Sequence, residues 1–398
     1  MKIFEKCREF TKVDEYKQRG LYPYFVPIAE NNGTRVKMNG REVLMIGSNN
    51  YLGLTKDPRV QEAAIKAVEK YGTSCSGSRF LNGTYELHEE LEARLARFVN
   101  KEAALVFGTG YQTNAGAIST LLENNSIIIT DKTNHSSIFD GVFLGAALNP
   151  RVVIKRYRHN DMEDLERVFQ ALNPDLPKLI VTDGVFSMEG DVVKLPRMIE
   201  LCQQYGCGLY LDDAHGLGVV GKTGRGTMEH YDKFNQVDVV MSTFSKTFSS
   251  LGGFVAGKKE VVNYIKHFSR QLIFSAAIPP ANTASVLKVL EIMETEPQHV
   301  ARLQEIGSTM RREFQALGFD TGESETPIIP ILVRDFDKTF AFWSALFEAG
   351  IYTNAVVPPG VPADRSLLRT SYMAIHTDDD LQHVLSTFKK IGKGMGII

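Results

Sequence analysis

The feature that most constrains this chain is an alternation of short apolar runs and helical patterns between about Lys101 and Ala256. Ala103–Phe107, Ser126–Thr130, Val152–Lys155, Leu179–Thr182, Gly208–Leu211 and Val239–Ser242 read as buried strands. Between them Gln112–Leu122, Met162–Leu172 and Pro196–Tyr205 carry helical spacing. Pro196 suits a first helical turn, where a missing N–H costs nothing. Strands separated by helices predict an α/β fold with a mainly parallel sheet covered on both faces.

The flanks read differently. Tyr85–Val99 is an amphipathic helix with Leu87, Leu91, Leu95 and Phe98 on one stripe, packed on the core. Residues before about Thr55 form an irregular arm with a small strand pair around the hairpin-type dipeptide Asn39-Gly40. After about Pro279 come a long helical stretch, strand-like Ile328–Val333, another helix and a final helix near Asp379–Ile391. The predicted division is an N-terminal arm over 1–55, a large α/β domain over 56–285 and a smaller C-terminal α+β domain over 286–398.

With 45 basic and 47 acidic residues and a net charge of −2, nothing in the bulk electrostatics points to nucleic acid or an anionic membrane. The cysteines Cys7, Cys75, Cys202 and Cys207 form no C-x-x-C pair, which suits a reducing compartment, the cytoplasm. Met1–Arg19 lacks the apolar stretch of a secretory signal, and no run of about 18 apolar residues marks a membrane span. A peripheral membrane contact stays open.

Four motifs bear on chemistry. Gly216-Leu-Gly-Val-Val-Gly221-Lys222-Thr223 matches the nucleotide-binding patterns GxxxxGK[ST] and GxGxxG, which would make the chain a P-loop NTPase. Both patterns need a helix beginning at the last glycine, and Gly224-Arg225-Gly226 starts one poorly. Immediately upstream, Asp212-Asp213-Ala214-His215 ends an apolar strand, where side chains face the ligand crevice of a parallel sheet. A metal would suit Asp and His, but no other cluster completes a shell, so no metal site is expected. Further on, Thr243-Phe-Ser245-Lys246-Thr247-Phe is a hydroxyl-rich turn after a strand, with one lysine between two phenylalanines. Burial would favour its neutral amine and imine chemistry, and the hydroxyls suit phosphate oxygens. Gly108-Thr-Gly110-Tyr111 adds a strand–turn–helix junction suited to a phosphate. A lysine for an imine and an acid for a pyridinium nitrogen together are what pyridoxal 5′-phosphate (PLP) requires of a protein.

The same segments, with Gly47–Leu54, Gly72–Thr84, Asn134–Ile138, Thr182–Asp191, Phe274–Pro280 and Leu368–Tyr372, resemble the α-oxoamine synthase family over about Gly20 to His376. The resemblance implies a fold type I PLP-dependent transferase, aspartate aminotransferase-like, acting as a homodimer with a shared active site. It implies that Lys246 holds the cofactor and moves the proton at the amino acid's Cα. Asp212 would pair with the ring nitrogen, His215 and Ser187 would bond the phenolic oxygen, and His135 would stack on the ring. Gly110, Tyr111 and Thr243 would hold the phosphate, with Ser275 and Ala276 reaching the neighbouring subunit's phosphate. Asn49 and Arg369 would bind the substrate carboxylate, with His135 also beside the substrate. Gly77–Thr84 and the loop Val357–Arg369 favour the member that condenses L-serine with palmitoyl-CoA. Glycine C-acetyltransferase and 8-amino-7-oxononanoate synthase, which share these cofactor residues, remain the alternatives.

Overall fold

The computed structural model describes residues 1–398. Three short strands come first: β1 (Ile28–Asn32), β2 (Arg35–Met38) and β3 (Arg41–Met45). The β2–β3 turn is Asn39-Gly40, with φ of 50° and 76°, the doubly left-handed turn that this dipeptide adopts at low cost. The strand pair expected there is therefore present, but it is not part of a free arm. Ile351–Tyr352 adds to β3 in parallel, so the N-terminal residues build on a strand supplied from far along the chain.

The chain divides into two compact units, one formed by Met1–Ser48 with Ile306–Ile398, the other by Asn49–Glu305. Boundaries at 55 and 285 thus shift for two reasons. The first is the β3 pairing. The second is that the helix Pro280–Thr295 packs against the helices Pro58–Tyr71 and Glu86–Phe98, which keeps it with the larger unit.

The larger unit holds seven strands: β4 (Ala103–Phe107), β5 (Ile127–Asp131), β6 (Val153–Tyr157), β7 (Lys178–Asp183), β8 (Cys207–Asp212), β9 (Val239–Thr243) and β10 (Gly253–Gly257). Their order is β4-β10-β9-β8-β7-β5-β6. The run from β9 to β6 is parallel, and β10 lies antiparallel between β4 and β9. All six predicted strands are present within one or two residues. Leu105, Ile128, Val181, Tyr210, Met241 and Val255 bury one sheet face against Ile118, Ile138 and Val142 of the helices Gly110–Leu121 and Ser136–Leu148. The amphipathic helix predicted at 85–99 runs Glu86–Phe98, with Leu91, Leu95 and Phe98 buried.

The glycine run after β8 is not a phosphate loop. Gly218, Gly221, Gly224 and Gly226 all have positive φ, and no helix starts at Gly221. The carboxylate of Glu229 accepts the N–H of Thr223 (2.9 Å), the hydroxyl of Thr223 (2.7 Å) and the N–H of Arg225 (3.0 Å). An internal acid therefore takes the donors that a nucleotide would need, which overturns the NTPase alternative.

The smaller unit contains the sheet β1-β2-β3-β12, with β12 the pair Ile351–Tyr352, and a second sheet, β11-β14-β13. These last strands are β11 (Ile328–Leu332), β13 (Asn354–Val356) and β14 (Leu367–Ser371). Val43, Met310, Phe314, Phe342, Leu368 and Phe388 belong to their common core. The final helix, Asp378–Gly394, begins at a capping box made by Thr377 and Asp380.

Candidate active site

Asp183, Asp212 and Thr243 are the last residues of β7, β8 and β9, so three adjacent parallel strands deliver polar side chains at the same end of the sheet. That is where ligands bind in open α/β sheets. A cavity of about 260 Å³ lies there, and Gly110, Tyr111, His135, Asp212, His215, Thr243 and Lys246 all line it. Seven of the residues singled out in the sequence are thus brought together within one unit.

Lys246 sits in the hairpin turn between β9 and β10. Phe244 and Phe248 on either side are fully buried and meet edge to face at 5.5 Å. The Phe244 N–H donates to Gly252 O (2.9 Å) and the Ser250 N–H to Phe244 O (2.9 Å), so the turn is closed on itself while Lys246 is only part-buried. The two aromatic flanks anchor the turn, and the lysine points away from that anchor into the cavity.

Asp212 is 3% exposed. Its Oδ1 accepts the Ala214 N–H (3.0 Å) and its Oδ2 the side-chain amide of Asn114 (2.6 Å). Asn114 also bonds Ser137 Oγ (2.9 Å) and accepts from the Tyr210 hydroxyl (2.9 Å). Its orientation is fixed from three sides, and so is that of the carboxylate. A carboxylate held in this way suits a protonated ring nitrogen.

His135 caps the helix Ser136–Leu148 and faces the cavity. Its backbone N–H donates to Asp183 Oδ2 (2.8 Å), and its Nδ1 lies 2.8 Å from Ser137 Oγ. Crowding by protein atoms lowers its pKa, and the positive charge of Lys246 adds to this against the opposing pull of Asp212. At neutral pH the imidazole is uncharged, a flat apolar face. Asp183, wholly buried, is pushed well above the usual carboxylate range by burial and then by the charge of Asp212, its register partner across β7 and β8. Two acids side by side do not both ionise in so dry a place.

His215 is buried, with Nδ1 2.7 Å from the hydroxyl of Tyr51. Tyr51 in turn donates to Asn49 Oδ1 at 3.3 Å. Gly110 begins the helix Gly110–Leu121, and a Cβ there would come within 2.5 Å of Thr243 Oγ1. Only glycine lets the helix N-terminus and the end of β9 approach this closely.

The other expected site residues do not line the cavity. Ser187 lies in the turn after β7, where the Phe186 N–H donates to Asp191 O (3.0 Å). Ala276 forms an isolated bridge with Ser78, next to Ser275. Asn49 is linked to the cavity through Tyr51. Arg369 belongs to the smaller unit, in the middle of β14 and 4% exposed. Asn114, Tyr51 and Asp183 were missed. The sign available in the sequence was a polar residue inside a predicted buried helix for the first, and membership of the quoted motif segments for the others.

The donor set fits PLP: backbone N–H groups at a helix N-terminus and the hydroxyls of Thr243 and Ser245 for a phosphate, a fixed carboxylate for the ring nitrogen, an amine for the aldehyde and a neutral imidazole for the ring face.

The profile of the class I and II aminotransferases matches residues 41–388. A serine palmitoyltransferase from Sphingobacterium spiritivorum is 47% identical, covering 98% of this chain and 97% of its own. An 8-amino-7-oxononanoate synthase from Thermoanaerobacter pseudethanolicus is 40% identical over 97% of each chain. Among solved structures, a serine palmitoyltransferase variant from S. paucimobilis with a bound PLP–myriocin aldimine superposes with a TM-score of 0.95 at 33% identity, covering 100% of this chain and 99% of that one. An 8-amino-7-oxononanoate synthase from Francisella tularensis superposes at 0.76 with 25% identity, covering 88% and 98%.

Proposed function

The chain belongs to the class I and II aminotransferase family and, within it, to the α-oxoamine synthases, and on that premise we propose that it joins L-serine to palmitoyl-CoA, releasing CoA and CO₂ and leaving 3-oxosphinganine. The observation that carries this reading is the meeting of Lys246, Asp212 and His135 in one cavity that is also lined by Thr109 and Gly110 at a helix N-terminus. The choice of serine and a long acyl chain over the alternatives is supported by the higher identity and closer superposition of the serine palmitoyltransferases.

Bound PLP supplies an aldehyde that captures the amino group of serine and a ring that takes up the electron pair left when the Cα proton departs. The chain does the rest. Asp212, held by Asn114, keeps a positive charge on the ring nitrogen in place. His135 would offer the ring an uncharged imidazole, and Lys246 lines the same cavity. The amine of Lys246 holds the cofactor at rest and, once released, carries the Cα proton of serine away and later returns a proton to the same carbon. Tyr51 fixes the imidazole of His215, which lines the cavity and would bond the phenolic oxygen, a role the resemblance also gives to Ser187. The family resemblance assigns the serine carboxylate, which leaves as CO₂, to Asn49 and, separately, to Arg369.

The working enzyme is proposed to be a homodimer. Phe80 (54% exposed), Leu81 (78%) and Phe274 (77%) stand on two loops tied by the Ser78–Ala276 bridge, an apolar face that a second copy would cover while Ser275 and Ala276 reach that copy's phosphate. Four free cysteines support a reducing compartment such as the cytoplasm. No helix is long and apolar enough to cross a membrane. Exposed Met1, Ile3, Phe4 and Phe10 among Lys2, Lys6 and Arg8 support a peripheral contact.

Purified protein loaded with PLP and reduced with borohydride should carry the cofactor on Lys246 by peptide mapping. It should respond spectrally to L-serine and release CoA with palmitoyl-CoA. Turnover confined to glycine with acetyl-CoA would overturn the substrate assignment, and an adduct on another lysine would overturn the site.

A further inference from the structure

One buried charge cluster takes no part in the roles assigned above. Asp131, the last residue of β5, is fully buried, and Asp191, after the turn that carries Ser187, is 3% exposed. His159 stands between them, just beyond the end of β6. Its Nε2 lies 3.2 Å from Asp191 Oδ2, and its Nδ1 lies 3.4 Å from Asp131 Oδ1 and 2.6 Å from Thr133 Oγ1. The Thr133 hydroxyl passes the contact on, donating to Asp131 Oδ1 at 3.0 Å. Asn160 repeats the bridge: its N–H donates to Asp131 Oδ2 (2.7 Å) and its side-chain amide to Asp191 Oδ2 (2.8 Å). Phe186 meets the His159 ring edge-on at 4.4 Å, which leaves the imidazole little room to turn.

Two carboxylates withdrawn from water need a counter-charge. An imidazolium supplies one with two N–H groups aimed in opposite directions, one for each acid. Burial alone would lower the pKa of His159. The hydrogen bonds and charges of Asp131 and Asp191 outweigh that and push it up to about 10, so the ring is charged through neutral pH. Each acid is also the root of a site loop. Asp131 Oδ1 accepts the Thr133 N–H (2.8 Å) at the start of the segment leading to His135. Asp191 O accepts the Phe186 N–H (3.0 Å), which closes the turn bearing Ser187, and a Val185–Val192 bridge flanks it.

We infer that His159 is a positioning residue for the condensation, an imidazolium strap between Asp131 and Asp191 that sets the loop of His135 against the turn of Ser187. The inference rests on the assignment of those two residues to the cofactor ring. It is tested by reconstituting wild type, His159→Gln and the exposed neighbour control Arg158→Gln with PLP, following the absorption band and the dissociation constant of the cofactor, and mapping the borohydride adduct. In His159→Gln the cofactor still reaches Lys246, but its dissociation constant rises about ten-fold, the scale on which outer-shell partners act, and its band shifts. Arg158→Gln matches wild type. A His159→Gln variant with wild-type affinity and an unchanged band overturns the strap alone. A wild-type chain that takes up no cofactor on Lys246 overturns it together with the reading beneath it. Should His159→Gln not fold, nitrogen NMR of wild-type histidines decides: both ring nitrogens of His159 carry protons at pH 8, and a neutral ring there overturns the inference.

Discussion

Arg369 shows how much a single buried cation can be asked to do. It is 4% exposed in the central strand of a three-stranded sheet, between Pro330 and Asn354 in register, and a guanidinium is seldom buried without a purpose. Its planar fork holds both oxygens of a carboxylate, whereas lysine offers a compact point charge. Arg369→Lys should therefore weaken serine binding by roughly ten-fold to a hundred-fold, the worth of one charge-assisted bond, and leave the spectrum of the serine-free enzyme unchanged. Titration with L-serine checks this, and unchanged affinity would remove Arg369 from the site. His376 supports structure instead. Its Nδ1 accepts the Met373 N–H (2.9 Å), its Nε2 lies 3.2 Å from Met45 O, and burial holds its pKa down to about 4. Because the unfolded chain binds the proton more readily, this histidine's contribution is full above about pH 6.5 and is lost as pH falls toward 4. It amounts to about 3 kcal/mol. Urea denaturation across that window should show a steeper acid loss for wild type than for His376→Gln, whose side chain does not titrate.

At the scale of elements, the site depends on a helix start meeting a strand end. With Thr243 Oγ1 at 2.5 Å from where a Cβ would stand, Gly110→Ala must push the helix Gly110–Leu121 away from β9. The expected result is a folded protein whose PLP affinity falls by at least about ten-fold, since backbone donors to a phosphate act only at close range. Equilibrium dialysis measures it, and native affinity would show that the phosphate is held elsewhere. The same elements show what a sequence can and cannot disclose. Six strands of the main sheet were legible because each is an apolar run bounded by turn residues, Asp212 because it ends one, and Lys246 because it sits in a hydroxyl-rich turn just after another. β10 was not: five residues closed at both ends by glycine have no periodicity, and only the fold-back of the Lys246 turn makes them a strand. Asn114, Tyr51 and Asp183 act through neighbours distant in sequence, Asp212, His215 and His135, so the local signs they carry, a polar residue in a buried helix and a place in a motif segment, do not disclose their partners. The unit boundaries escaped for the same reason, since Ile351 pairs with Leu44 by long-range registry alone.

For the whole molecule, the exposed face of Phe80, Leu81 and Phe274 sets the prediction. If a second copy covers it, Leu81→Glu should move the sedimentation coefficient from dimer toward monomer and reduce turnover in parallel, with secondary structure retained by circular dichroism. Burying three large apolar side chains at an interface is worth several kcal/mol in gross terms, and placing a charge among them opposes association directly. A Leu81→Glu protein that still sediments as a dimer would assign the interface to another face.

The placement of β10 also sets a timetable for biosynthesis. β4 leaves the ribosome early, yet its only partner in the sheet is β10, whose Gly253 pairs with Phe107 after the whole parallel run from β5 to β9 has been made. Until then Leu105, Val106 and Phe107 have an open edge and no sheet to join, the kind of exposure that chaperones attend to during synthesis. The strand that closes this edge also closes the hairpin presenting Lys246. The nascent chain therefore completes the hairpin of Lys246 only as the open edge of β4 is covered, so the two events are one step of assembly.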